Sequence, residues 1–178
     1  IIGLTGPIAS GKEITKKYLE ENYNAKSVKF SQILRDVLDR IDVSVERKTM
    51  QDLSTSLRQT FGEDLLARNI AKDAELIDAE IVVLDGVRRM ADIEYAKKLD
   101  NFFLIKIDAA PEIRYERMKT RNENEGDDEK TFDEFLKDHE SEADRDVAIV
   151  MEEATVSISN DGTIEDLYKQ IDEIIKNL

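Results

Sequence analysis

Cysteine is absent from the 178 residues, which excludes disulfides and thiolate zinc sites. His139 is the single histidine, so neither a Ser-His-Asp set nor a multi-histidine metal centre is expected. That residue is expected on a semi-buried helix face. Proline (2) and glycine (7) are scarce while 40% of residues are apolar, the profile of one globular domain with a real core. No apolar run approaches the ~20 residues that cross a bilayer, so no membrane association is expected. No secretory-signal pattern occurs, and a cytoplasmic location is the expectation. Lys and Arg number 26 against 40 Asp and Glu, giving a net charge of −14. Such a surface repels a polyanion, so no nucleic-acid polymer is expected as a partner. A small anion needs only a local cluster of basic groups, and such clusters are present.

What is present alternates. Short apolar stretches at Ile1–Thr5, Ser27–Phe30, Ile81–Asp85, Phe102–Asp108 and Thr155–Ser159 read as strands separated by helical patterns. This predicts an α/β fold: a mainly parallel sheet with helices on both faces. The third and fourth runs are almost continuously apolar, as in strands buried on both sides. Met50, Leu53, Leu57 and Phe61 recur at helical spacing, as do Leu66, Ile70, Ala74 and Ile77, and these stripes read as core. Two or three helices are predicted between the second and third strands. Pro111 suits the first turn of a helix running to Arg121. Thr131 with Glu134, and Thr163 with Asp166, read as helix starts. Phe132 and Leu136 follow the first of these one turn apart. Ile164, Leu167, Ile171 and Ile174 follow the second. The acidic, apolar-free stretch 122–130 reads as a solvated loop or as a flap over a site.

The first strand runs into Gly6-Pro7-Ile8-Ala9-Ser10-Gly11-Lys12, a G-x-x-x-x-G-K pattern followed by a helical segment. A strand, a glycine-bounded turn and a helix in that order can cradle phosphate. The loop N–H groups converge, the helix N-terminus adds partial positive charge, and Lys12 can reach the β- and γ-phosphates. Gly6, Pro7, Ile8, Ala9, Ser10, Gly11 and Lys12 are therefore candidate nucleotide-binding residues. The next position is normally Ser or Thr, whose hydroxyl binds Mg²⁺, but here it is Glu13. A carboxylate there could hold Mg²⁺ through water or could repel the nucleotide.

Asp85 ends the third strand and precedes Gly86-Val87-Arg88. An acid at that end of a parallel strand sits where ligands bind, and is a candidate Mg²⁺ ligand together with Glu13. Arg35 and Arg88 follow the second and third strands and could grip the phosphate of a second substrate. Arg58 and Arg89 are weaker candidates. Arg114, Arg117 and Arg121 share one side of a helix beside the acidic stretch, and could stabilise a transferring phosphoryl group. Arg145, beyond the stretch, is a further candidate. Each of these arginines could instead form surface ion pairs. Asn160 and Gly162 lie between the last strand and last helix, where backbone could line a base pocket.

Taken together, these features resemble the P-loop kinases of small metabolites. Ile2-Gly3-Leu4-Thr5-Gly6 through Ser10-Gly11-Lys12 is similar to dephospho-CoA kinase, as are Ala109-Ala110-Pro111-Glu112 through Arg121 and Ile158 through Leu167. Phe30-Ser31-Gln32-Ile33-Leu34-Arg35 and Asp85-Gly86-Val87-Arg88 resemble the acceptor-binding segments of nucleoside monophosphate kinases. An acid directly after the loop lysine, and Val87 through Ile93, resemble animal-type phosphomevalonate kinases. The resemblance implies a P-loop NTPase three-layer fold with a five-stranded parallel sheet ordered 2-3-1-4-5. One domain spans residues 1–178, with an acceptor-binding helical segment near 31–78 and a lid near 118–145. It implies ATP and Mg²⁺ as cofactors and a small phosphorylated metabolite as second substrate. Ser31, Arg35 and Arg88 are expected at the acceptor. Lys12, Arg88, Arg117 and Arg121 are expected to be catalytic, and no obligate protein partner is expected. A nucleoside or deoxynucleoside monophosphate is the leading acceptor, with dephospho-CoA and phosphomevalonate as alternatives. A nucleotide-binding switch without turnover is the reading from another class. No Asn-Lys-x-Asp base-reading motif occurs, which argues against a GTPase.

Overall fold

The computed structural model describes residues 1–121, 129–138 and 142–178. The flap residues 122–128 and His139 lie outside the described residues, as does the side chain of Arg145.

Five short strands form one parallel sheet: β1 (Ile2–Thr5), β2 (Lys26–Lys29), β3 (Val82–Asp85), β4 (Phe103–Asp108) and β5 (Val156–Ser159). Their spatial order is β2-β3-β1-β4-β5, as expected from the resemblance. Because pairing is parallel, every strand needs a crossover, and helices supply them. Helix α1 (Lys12–Asn22) follows β1. Three helices, α2 (Phe30–Arg40), α3 (Arg47–Phe61) and α4 (Leu65–Leu76), fill the long gap between β2 and β3. Helix α5 (Met90–Ala96) leads to β4; α6 (Pro111–Arg121), α7 (Phe132–Asp138) and α8 (Glu142–Glu152) precede β5; α9 (Ile164–Asn177) closes the chain.

The strand pleat sends alternate residues to opposite faces, so two cores form. Ile2, Leu4, Val83, Ile105, Ile107 and Ile158 pack against Leu19 of α1 and Leu167 and Ile171 of α9. Val82, Leu84 and Leu104 pack on the other face with Leu66 and Ile70 of α4, Ile93 of α5 and Val150 of α8. Burial on both faces explains the near-continuous apolar runs of β3 and β4.

Several boundaries depart from the sequence reading. Phe30 is the first residue of α2 rather than the last of β2, and its ring enters the core there. Phe61 is 60% exposed, not core: it is the last residue of α3, where Gly62 at φ +106 turns the chain away. Ile164, in the first turn of α9, is also exposed. In α7 the buried residue is Phe135, stacked with Phe132 beside Tyr115, while Leu136 faces outward. The two helix starts form reciprocal capping bonds, Thr131 with Glu134 and Thr163 with Asp166.

Candidate functional site

The turn after β1 is possible only with glycine at its ends. Gly6 has φ +147, and a Cβ there would lie 2.1 Å from the Ile107 carbonyl oxygen. Gly11 has φ +114, and a Cβ there would lie 2.2 Å from Asn160 Nδ2. Both positions demand a backbone conformation that L side chains rarely adopt, and both are pressed against neighbours. Ala9 adds a third left-handed residue at φ +58. The result is a tight loop that ends as the N-terminus of α1, where Gly11 offers no capping side chain. The first-turn N–H groups have no partner within the helix and carry its positive dipole end. Lys12 folds back over the loop, its Nζ donating to the Gly6 and Pro7 carbonyls at 2.7 Å each.

Two buried side chains hold this loop from beneath. Asn160, 4% exposed, donates from Nδ2 to the Ser10 carbonyl at 2.8 Å, while its own N–H binds the Asp108 carbonyl at 2.7 Å. Arg114, 6% exposed, donates from Nε to the Ala109 carbonyl at 2.9 Å and lies 3.5 Å from the Ile8 carbonyl. Its guanidinium stacks over Phe135, 5.5 Å from the ring centroid. Arg114 is therefore a support of the loop, unlike its neighbours on α6. Asn160 faces the back of the loop, and Gly162 sits tight against Asp166, where a Cβ would lie 3.0 Å from the carboxylate.

Asp85 stands opposite Leu4 of β1 and Lys29 of β2, hence beside the loop. Its carboxylate meets Lys16 Nζ at 3.3 Å and Lys29 Nζ at 3.7 Å. Lys16 also pairs with Glu13. Burial works to raise the Glu13 carboxyl, but the hydrogen bond and charge of Lys16 hold it below its usual range, with Lys29 and Arg121 adding. That influence puts the Arg121 charge, carried by α6, within electrostatic reach of the start of α1. The Lys16 side chain is 5% exposed. Burial pulls its ammonium down, yet Glu13 and Asp85 outweigh this and raise it.

A divalent cation at Glu13 and Asp85 would need carboxylate oxygens free to coordinate. In this structure Lys16 engages one oxygen of each, Oε1 of Glu13 and Oδ2 of Asp85, so an ammonium already lies between them. Among the described residues no group of three or more His, Asp or Glu side chains converges elsewhere as a metal cluster.

The acceptor candidates leave from adjacent strands. Lys29 and Asp85 are register partners, with Arg35 on the second turn of α2 and Arg88 just past Asp85. Both guanidinium groups are exposed and form no ion pair among the described residues. Ser31 is half-buried in the first turn of α2. Arg88 does not pair with Asp92 through its side chain. Instead Asp92 Oδ2 accepts the backbone N–H groups of Arg88 and Arg89 at 3.0 Å each. Asp92 is 3% exposed, and Arg58 Nη2 lies 3.6 Å from its Oδ1. Burial pushes the Asp92 carboxyl up, against those two N–H groups and the Arg58 charge. Arg58 also donates to the Glu63 carbonyl at 2.6 Å, so it braces the Arg88 turn from α3. Arg89 lies near Glu63 and Asp146. Arg117 has one buried nitrogen, Nη1, without a hydrogen-bond partner, and its charge is felt at Asp161 beside Asn160.

A family model described as an AAA domain matches residues 2–148. A UPF0200 protein of Sulfurisphaera tokodaii is 30% identical over 178 residues, covering 100% of this chain and 97% of its own. The chain is an AAA domain protein of the UPF0200 group. Saccharolobus islandicus has a further UPF0200 relative, 29% identical over 98% of this chain and 91% of its own. TT1252 from Thermus thermophilus superposes with a TM-score of 0.68 at 17% identity, covering 99% of this chain and 96% of that one. Shikimate kinase from Bacteroides thetaiotaomicron gives 0.60 at 15% identity, covering 99% and 96%. The Acinetobacter baumannii shikimate kinase in complex with shikimate gives 0.55 at 16% identity, covering 99% and 92%. At these identities the likeness is one of fold. This UPF0200 chain has the P-loop kinase fold. Among its described residues no helix is long and apolar enough to cross a membrane.

The sequence reading passed over Lys16 and Asn160 as structural pieces of the loop. A lysine one turn beyond Lys12 was the available signal for Lys16. For Asn160 the signal was a polar residue directly after an apolar strand.

Proposed function

We propose that this protein transfers the γ-phosphoryl group of ATP to a small phosphorylated acceptor of the nucleoside or deoxynucleoside monophosphate class. The observation that carries the reading is the loop itself. Two compulsory glycines and Lys12 gather donors and positive charge at the start of α1, at the same edge of the sheet as the exposed Arg35 and Arg88. The loop N–H groups and Lys12 hold the β- and γ-phosphates. Arg35 and Arg88 grip the acceptor phosphate as forks. Arg117 and Arg121 cover the transferring group from α6 and stabilise its charge. Mg²⁺ would serve the transfer step, where it neutralises charge on the phosphoryl oxygens. Glu13 and Asp85 are not assigned as its direct ligands, because the Lys16 ammonium lies between them, on one oxygen of each.

The acceptor class follows from what the carboxylates are doing. A hydroxyl acceptor needs a base. Beside the loop, Lys16 holds the Glu13 carboxyl below its usual range, which makes it a weak base, and Asp85 is paired with Lys16 and Lys29. An acceptor phosphate is already anionic and needs none. This favours a monophosphate over the ribose hydroxyl of dephospho-CoA. ADP release from ATP, coupled to an optical assay and screened over nucleoside and deoxynucleoside monophosphates, dephospho-CoA and phosphomevalonate, tests the reading. Turnover with a monophosphate is expected. Binding of ATP with no transfer to any acceptor would replace the kinase reading with a nucleotide-binding switch.

A further inference from the structure

Lys16 is a buried ammonium in an unusual place. P-loop NTPases hold Mg²⁺ between the residue that follows the loop lysine and an acid at the end of a neighbouring strand. Here those residues are Glu13 and Asp85, and the Lys16 side chain spans them: its Nζ pairs with Glu13 and lies 3.3 Å from Asp85 Oδ2. It is only 5% exposed, on the inward face of α1. Burying a lysine is costly unless it is paired, and these two carboxylates are its partners. Lys29 adds a second ammonium 3.7 Å from the same Asp85 oxygen.

The charges of this group explain how an acid is tolerated after the loop lysine. Glu13 and Asp85 alone would place two negative charges beside a polyphosphate. Lys16 and Lys29 cancel both, so the four side chains together are neutral. Glu13 and Lys16 thus act as a unit, one turn apart on α1, in place of a hydroxyl and a divalent ion.

We propose that Lys16 is the resident cation of the nucleotide site, so that ATP binds this protein without a divalent metal. This rests on the reading of the loop as a nucleotide site. Lys16 is a positioning residue: its ammonium fills the place between Glu13 and Asp85 and offsets their repulsion of the phosphates.

The test is isothermal titration of the full chain with ATP, in Mg²⁺ and in EDTA. The wild-type affinity is expected to agree within about threefold between the two conditions, since no bound metal is lost. Lys16→Met, which removes the ammonium between the two carboxylates, is expected to lose roughly tenfold or more of its affinity in EDTA and to recover it in Mg²⁺. Lys16→Arg keeps the charge and is expected to keep the metal independence. Circular dichroism checks that each variant is folded. If Lys16→Met is not, the wild-type and Lys16→Arg titrations decide. A wild-type protein that loses about thirtyfold or more in EDTA overturns the proposal while leaving the nucleotide site standing. Equal affinities of Lys16→Met in both buffers overturn it as well. Binding in neither buffer overturns the reading of the loop, and this proposal with it.

Discussion

Replacing Asn160 by alanine tests how the phosphate loop is held. The Asn160 amide is 4% exposed and donates to the Ser10 carbonyl at 2.8 Å. Its nitrogen also lies where a side chain at Gly11 would be, 2.2 Å from the position of a Cβ. Alanine removes the donor, strands a carbonyl in a dry place and leaves space behind the loop. An unsatisfied buried acceptor costs about 1–3 kcal/mol. For a domain of this size each kcal/mol lowers Tm by about 2–4 °C, so a drop of roughly 2–12 °C is expected by calorimetry. The larger consequence is for binding. The backbone of Asn160 stays anchored to Asp108 at 2.7 Å, so damage concentrates in the Ser10-Gly11 peptide, where phosphate would contact N–H groups. Loss of that positioning should weaken ATP binding by about tenfold or more. Asn160→Asp should be worse than alanine, because a carboxylate would face a carbonyl oxygen with no proton between them. Unchanged Tm and unchanged ATP affinity in Asn160→Ala would refute the claim that this amide shapes the loop. So would an Asn160→Asp variant that behaves like wild type.

Arg35→Ala and Arg88→Ala should each lower kcat/KM for the acceptor by about 10–100-fold, the worth of a charged hydrogen bond, while KM for ATP and Tm stay unchanged. A loss that falls equally on ATP would show that these arginines do not address the acceptor. Tyr23 offers a pH test at the packing of α1 on α9. Its hydroxyl donates to Asp172 at 2.7 Å, and that bond, with burial and the Asp172 and Tyr18 charges adding, pushes its pKa up to about 12. An unfolded tyrosine titrates near pH 10, so this contribution is complete below about pH 10 and is lost as pH rises toward 12. Tyr23→Phe should therefore lose stability less steeply than wild type over that window in urea titrations, and parallel slopes would contradict the assignment.

The frame of the site was legible because local chemistry dictates it. A strand running into Gly6, a helix beginning after Gly11 and a lysine at its first position leave few alternatives, and alternation of apolar runs with helical stripes determines the layers. Asp85 at a strand end was readable for the same reason. What stayed hidden depends on contacts between distant parts of the chain. Arg114, Arg117 and Arg121 look equivalent on a helical wheel, yet Arg114 alone turns under the loop, because Phe135 and the Ala109 carbonyl receive it. Lys16 reads as one of many surface lysines until β3 brings Asp85 beside it. Asn160 reads as a turn residue until β5 brings it behind Ser10. Arg58 looked like a ligand-facing arginine, but its partner Asp92 is buried under the Arg88 turn.

Isothermal titration of ATP into wild type and Lys12→Ala tests the central claim. Lys12 is the ammonium closing the loop over Gly6 and Pro7, and its loss should weaken ATP binding by about 10–100-fold while the fold persists. A Lys12→Ala protein that binds ATP as tightly as wild type would mean that the turn after β1 does not hold the nucleotide's terminal phosphates.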